Sequence, residues 1–300
     1  MKRILKGTIA VISLLLICVI LLYGFYVPRY LSHRKAVELP AEEREGMVVM
    51  SANVRYLAPD DLFHKSWFYR AELIREDIAL VLPDIVCFQE VTPVHYDYLT
   101  KILPGYDSTI TYRDNFILSE GCPIFYRTDR YERVEDGSFW LSETPEVMSK
   151  SWGSSHYRVA NYVILREKAT NKEFVVFNTH LDNKSQQARI EGIRLVVDKI
   201  QEFGALPAIL LGDLNATPSS KTILSTKDDF DDAHDIAALS DEGATYHAFG
   251  SDFDRERIDY ILLSKGDFSV SEYRIVDNGR SGVYASDHSP IYVKITFENT

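Results

Sequence analysis

The stretch Ala208-Ile209-Leu210-Leu211-Gly212-Asp213-Leu214-Asn215-Ala216-Thr217-Pro218 limits the fold more than any other part of this chain. Its apolar run is short and has no polar face, which marks a strand buried on both sides. The run stops at Gly212, and an acid, an amide and a Thr-Pro turn follow. A carboxylate at the mouth of a buried strand is held by the strand and reached through the loop, where layered α/β enzymes place reactive groups. Asp213 and Asn215 would equally suit a turn or a helix cap. The rest of the chain favours the first reading, because it repeats the pattern of buried strand followed by polar residue.

The amino terminus has a different character. Lys2, Arg3 and Lys6 precede Gly7 to Val27, 21 residues without a charge and rich in Ile, Leu and Val. As a helix this stretch is long enough for a bilayer core of ~30 Å. Leu22-Tyr23-Gly24-Phe25-Tyr26-Val27-Pro28 offers no small-residue cleavage site, so residues 1–27 are expected to be a retained transmembrane anchor. Tyr23, Phe25, Tyr26 and Tyr30 fit an interfacial belt at its far end. Basic residues flank both ends, and the expected arrangement is a single-pass cell-membrane protein with its body outside. Residues 28–46, with Pro28, Pro40 and Glu42-Glu43-Arg44-Glu45, read as a solvated linker.

The remaining stretch, residues 47–300, suits one layered α/β domain. Cys18 lies in the apolar stretch and Cys87 in a strand, so the three cysteines form neither a disulfide framework nor a zinc pattern. All 44 acidic residues follow residue 37, while 6 of the 33 Lys and Arg lie in the first 35 positions. The body therefore carries 27 basic against 44 acidic residues, a formal net of −17. Such a surface repels polyanions at long range and disfavours tight non-specific DNA binding.

The body opens with Met47 to Arg55, a short strand ending at Asn53. Trp67, Ala71, Ile74, Ile78 and Val81 mark an amphipathic helix that Pro83-Asp84 ends. Ile85 to Phe88 is a buried strand terminating at Gln89-Glu90, and Pro93 opens a second helix. Strand-like pieces follow near 108–112, 123–127 and 139–141. Tyr157–Leu165 and Glu173–Asn178 form a hairpin, and Thr179-His180-Leu181-Asp182 puts His180 where Glu90 and Asp213 stand on their strands. Ser185 to Phe203 reads as a helix, with Gly204 at its left-handed cap. Asp259 lies within the apolar Ile258–Leu263 and needs a partner. Ser286-Asp287-His288 supplies a candidate in the loop before the last strand, Ile291 to Phe297.

Taken in order, Asn53, Gln89-Glu90, Thr179-His180-Leu181, Gly212-Asp213-Leu214-Asn215, Arg257-Ile258-Asp259-Tyr260 and Ser286-Asp287-His288 resemble the endonuclease/exonuclease/phosphatase superfamily over roughly residues 47–297. Phe139 to Pro145, and His180 to Asn183 with Ala188-Arg189, further resemble a bacterial branch near the carbon-catabolite-repressor-type deadenylases. Leu214 stands where the family usually has Phe. Arg55 replaces the acid that the DNA-repair branch carries two residues after the Asn, which argues against an abasic-site nuclease.

The resemblance implies a four-layer α/β sandwich, two mixed sheets face to face with helices outside. It implies Mg²⁺, or Mn²⁺, held by Asn53, Glu90 and Asp287. Asp213 would activate water, Asn215 would hold it or a phosphate oxygen, His180 and His288 would donate to the phosphoryl group, and Asp259 would orient His288. Arg55 and Arg158 are candidates for substrate phosphate, although surface or structural arginines are the more common case. The expected function is a membrane-tethered, metal-dependent phosphodiesterase or phosphatase acting on a small molecule, a lipid headgroup or a short nucleic acid. The alternatives are a nuclease or 3′-5′ exonuclease on RNA or DNA, and an inactive membrane-tethered binding protein. The sequence points to no protein partner.

Overall fold

The computed structural model describes residues 2–39, 45–252 and 256–298. In chain order its helices are α1 (Lys2–Ser32), α2 (Trp67–Val81), α3 (Pro93–Ile102), α4 (Gln186–Gln201), α5 (Lys221–Leu224) and α6 (Ala233–Ile236). The strands begin with β1 (Met47–Asn53), β2 (Ile85–Gln89), β3 (Tyr106–Thr109), β4 (Ile124–Arg127) and β5 (Tyr131–Trp140). Then come β6 (Val159–Glu167), β7 (Glu173–His180), β8 (Ala208–Asp213), β9 (Phe230–Asp232) and β10 (Leu239–Ser240). The last are β11 (Asp259–Ser264), β12 (Phe268–Ile275), β13 (Gly279–Arg280), β14 (Val283–Tyr284) and β15 (Ile291–Phe297).

Two mixed sheets account for most of these strands. One has the order β10-β12-β15-β1-β2-β4-β3 and the other β5-β6-β7-β8-β11-β9. Alternation along each strand sends successive side chains to opposite faces. Val49 and Cys87 of the first sheet meet Val176, Ile209 and Ile261 of the second in a core between the sheets. Their neighbours Met50, Val86 and Phe88 face outward onto Trp67, Ile74 and Ile78 of α2 and Tyr98 and Leu99 of α3. On the far side Val175, Phe177, Leu210 and Tyr260 pack on Ile193, Val196 and Ile200 of α4. Helix, sheet, sheet, helix is the four-layer order expected. A strand with no polar face, such as β8, is stable only in such a double-sided setting.

Two sequence expectations change at the amino end. Among the described residues, no helix is long and apolar enough to cross a membrane. Described side chains of α1 run unbroken only from Lys6 to Ile20, and those of residues 21–23, 25 and 26, part of the expected anchor, lie outside the described residues. Nor are residues 28–39 of the expected linker free. α1 continues to Ser32, Tyr30 and Val37 are buried, and the Val37 N–H donates to Ile102 O at 2.7 Å. Arg29 and His33 both pair with Glu72, at 2.8 and 2.9 Å, and Tyr30 stacks on Tyr98 and meets Phe68 edge-on. Tyr30 is a packing residue on α2 and α3, so burial against the body replaces the interfacial role read from sequence. Of the acidic run Glu42-Glu43-Arg44-Glu45, residues 42–44 lie outside the described residues.

Candidate active site

The polar residues that interrupt the apolar runs meet at one end of the two sheets. Within the second sheet the register is direct: His180 pairs with Asp213 across β7 and β8, and Asp259 pairs with Asp213 across β11 and β8. Asp259 is thus the first residue of its strand rather than an interior one, yet it is buried. In the first sheet Asn53 pairs with Gln89, the residue before Glu90. Glu90, Asn215 and Arg55 leave their strands with φ of 63°, 47° and 57°, left-handed backbone that bulky residues adopt only under tertiary constraint. Gly212 has φ +143°, and a Cβ there would lie 1.9 Å from Thr179 O, so the close approach of β7 and β8 requires glycine.

Asp213 is the hub. Its Oδ1 accepts the Asn215 N–H at 3.0 Å, which leaves Oδ2 facing the basin. Around Oδ2 stand Asn53 Nδ2 at 3.0 Å, His180 Nε2 at 3.4 Å and His288 Nε2 at 3.7 Å. His288 turns its other nitrogen, Nδ1, to Asp259 Oδ2 at 2.9 Å, so the ring has a fixed orientation. Asn53 Nδ2 also reaches Glu90 Oε1 at 3.1 Å, while its Oδ1 accepts the Arg55 N–H at 2.9 Å. Glu90 Oε2 takes the Tyr56 N–H at 2.7 Å. Asn53 therefore presents N–H, not oxygen, to the carboxylates. Asn215 Nδ2 donates to Leu181 O at 3.1 Å, tying the two strand-end loops together. Between the sheets, Gln89 Nε2 donates to Asn178 Oδ1 at 2.8 Å, and Asn178 Nδ2 donates to Phe88 O and Pro123 O.

The electrostatics follow from burial. Asp213 is pushed up to about 7, first by burial and then by the neighbouring Asp259 charge. Burial alone would lower His288, but Asp259 and Asp213 outweigh it and carry the ring up to about 10. His180 is held well below the usual histidine range, by burial first and then by Arg158. A neutral His180 and a cationic His288 thus face one carboxylate. Two groups have ligand atoms within 4.8 Å of one another: Glu90, His180 and Asp213, and Asp213, Asp259 and His288. Each group offers two carboxylate oxygens and one imidazole nitrogen, a donor set that fits a divalent cation. Asp287 lies in the same wall but outside both groups, with Oδ2 3.4 Å from Arg55 Nη1.

The cavity above these groups has a volume of about 520 Å³ and a basic side formed by Arg113, His156, Arg158 and Lys184. Arg113 is taken up by Glu120 through two bonds of 2.7 and 2.8 Å. Arg55 is taken up by Asp61 at 3.0 Å and by Asp287. Arg158 is buried, and its Nε has no hydrogen-bond partner. Burial and Arg113 lower its pKa, against the more distant pull of Glu120, Asp182 and Glu90.

Sequence reasoning missed Arg70, Glu120 and the loop clamp at Asp182. Asp182 accepts from Ser154, Ser155, Lys184 and Ser185, and so fixes the loop that carries Lys184. Arg70 is fully buried and donates to Lys65 O, Val54 O, Ala285 O and Arg55 O. Its signal was a basic residue on the apolar face of a helix, between Trp67 and Ile74.

Fold and site together define a layered α/β hydrolase with an acid-histidine basin at the sheet ends. Residues 50–288 match the model of the Endonuclease/Exonuclease/phosphatase family. The chain belongs to this family, whose members are metal-dependent phosphoester hydrolases, nucleases and phosphatases among them. It is 29% identical over 168 residues to nocturnin of Drosophila melanogaster, covering 51% of this chain and 25% of that protein. It is 28% identical over 170 residues to carbon catabolite repressor protein 4 homolog 3 of Arabidopsis thaliana, covering 51% and 34%. The chain thus spans between a quarter and about a third of the length of these curated relatives. Among solved structures, a mannosyl-6-phosphatase of Bacteroides thetaiotaomicron has 31% identity and a TM-score of 0.77, over 84% of this chain and 100% of that one.

Proposed function

We propose that this chain hydrolyses a compact phosphoester whose scissile phosphate sits over Asp213, with Mg²⁺ or Mn²⁺ as cofactor. The observation that carries the reading is the convergence of Asn53, His180 and His288 on a single buried atom, Asp213 Oδ2. Asp213 takes the proton of the attacking water, and Asn215 keeps its Oδ1 occupied so that Oδ2 alone does this work. Cationic His288, oriented by Asp259, and neutral His180 donate from Nε2 to the phosphoryl oxygens. Glu90, with Asp287 on the same wall, would hold the cation, which when bound neutralises the phosphoryl charge. Asn53 bonds both Glu90 and Asp213 and so holds the carboxylates in place beside the cation. Arg158, a buried guanidinium with an unfilled Nε, takes a phosphate oxygen, whereas Arg55 holds Asp287.

The size of the cavity and the acidic body favour small phosphoesters or short single strands over duplex DNA. Likeness to a mannosyl-6-phosphatase supports a phosphatase. The exposed apolar residues of α1, from Ile9 to Ile20, support a further reading in which the chain is held at a membrane with its body outside. Protease added to intact cells would then degrade the body, and full protection until lysis would reverse that orientation.

The test of the chemistry is a substrate panel on the full chain in detergent: sugar phosphates, nucleotides, nitrophenyl esters, single-stranded RNA and plasmid DNA. Activity should vanish in EDTA and return with Mg²⁺ or Mn²⁺. Asp213→Ala should lower kcat by ~10²–10⁴, the range for losing a positioned acid–base group. Glu90→Gln should raise the metal concentration needed. EDTA-resistant activity, or an unimpaired Asp213→Ala, would remove the mechanism.

A further inference from the structure

A second recess, of about 340 Å³, opens beside the catalytic cavity and has the opposite character. Its walls include Val27, Leu57, Ala58, Leu62, Phe63 and Trp67. Tyr56 lines both spaces, and its N–H is bound to Glu90, so the recess begins one residue from the catalytic carboxylates. Asp61 also borders the recess, but its carboxylate is turned to Arg55. Leu62 and Phe63 stand 58% and 68% exposed at the rim, large apolar side chains held in water. Phe63 has φ +54°, a conformation that a bulky residue keeps only under constraint. At the other end the recess reaches Val27 of α1. The recess therefore adjoins the polar catalytic cavity on one side and α1 on the other.

We propose that this recess holds the hydrocarbon chain of an amphiphilic phosphoester, a lipid whose phosphate lies in the catalytic cavity. The inference deepens the hydrolase reading and rests on it for the position of the phosphate. The mostly aliphatic and aromatic walls suit a chain without hydrogen-bonding needs. A chain that covers the walls and the rim removes that apolar surface from water.

The test has two arms on the full chain. In the first, kcat/KM is measured with Mg²⁺ for alkyl phosphates and alkyl nitrophenyl phosphates from butyl to dodecyl, below micelle formation. It should rise by up to about fourfold per methylene, the factor for burying one CH₂, and level off when the recess is full. Phe63→Ser and Leu62→Ser should lower the dodecyl value about tenfold and leave the butyl value unchanged. In the second arm, dodecyl- and butylphosphonate are titrated calorimetrically into Asp213→Ala, where the longer chain should bind at least tenfold tighter. Equal affinity of the two phosphonates, or activity independent of chain length, would overturn the recess proposal and leave the hydrolase reading standing. Chain-length-dependent binding without any turnover in the wild type would overturn the hydrolase reading alone. If the rim variants weaken binding to phosphatidylcholine vesicles but leave the chain-length profile intact, the rim belongs to the membrane surface and the proposal fails.

Discussion

Arg70 and Arg158 are both buried beside the catalytic loops, and neither forms an ion pair among the described residues, yet their surroundings differ in one respect. Arg70 fills its donors with backbone carbonyls from three segments, Val54 and Arg55, Lys65, and Ala285, and lies over the rings of Trp67 and Phe249. Burial brings it down to about 10, and it stays a cation. Arg158 has an empty Nε and lines the cavity. Buried polar groups are nearly always bonded, and a donor set filled by backbone carbonyls marks a strut. Arg70 fastens the loop carrying Asn53 to the loop carrying Asp287 and His288. Arg158, on the cavity wall, is the residue proposed above to take a phosphate oxygen.

The comparison can be broken at each arginine. Arg70→Met should cost about 3–5 kcal/mol, because removing the guanidinium leaves the buried carbonyls of Val54 and Ala285 without a donor. Urea unfolding checks this as a lower midpoint at unchanged slope, and a loss below 1 kcal/mol would mean that water replaces the strut. Arg158→Met should behave in the opposite way: stability unchanged or slightly raised, kcat/KM lower by ~10², the scale of one charged donor to a transition state. Arg158→Lys should recover part of that loss, since a point charge remains without the planar fork. The smallest effect is the most selective. At ten times its Kd, inorganic phosphate should stabilise the wild type by about 1.4 kcal/mol, a shift of a few degrees in Tm. Arg158→Met should lose that shift, and Arg70→Lys should keep it.

Much of the site was legible because its residues end apolar runs. Glu90, His180 and Asp213 each stand out as polar against the strand before them, and the structure brings all three together. What the runs did not disclose are contacts made by residues far apart in sequence. The carbonyl that Arg70 holds at Ala285 lies 215 positions away. Nothing local distinguishes Tyr30 as a residue packed on α3 from an aromatic at a membrane boundary, because both settings favour the same side chain. Strand β5 was read only at its end, near Phe139, because the run from Glu132 to Asp136 is exposed and carries no apolar alternation. Strand β12 was not recognised. Asp259 was identified as buried and the 286–288 loop as the source of its partner, and the structure sets His288 Nδ1 2.9 Å from Asp259 Oδ2.

The direct pairing of His180, Asp213 and Asp259 across β7, β8 and β11 also bears on how such a chain can change over generations. Side chains on a strand alternate faces, so deleting one residue within β8 would rotate Asp213 out of the basin in a single event. The chemistry therefore tolerates no intermediate versions within its strands. Insertions between strands leave the pairing untouched, and the loop 142–156 stands at such a place. A lineage carrying this ladder can lengthen and recompose that loop, and new substrates can be acquired by loop insertion while the ladder is inherited whole.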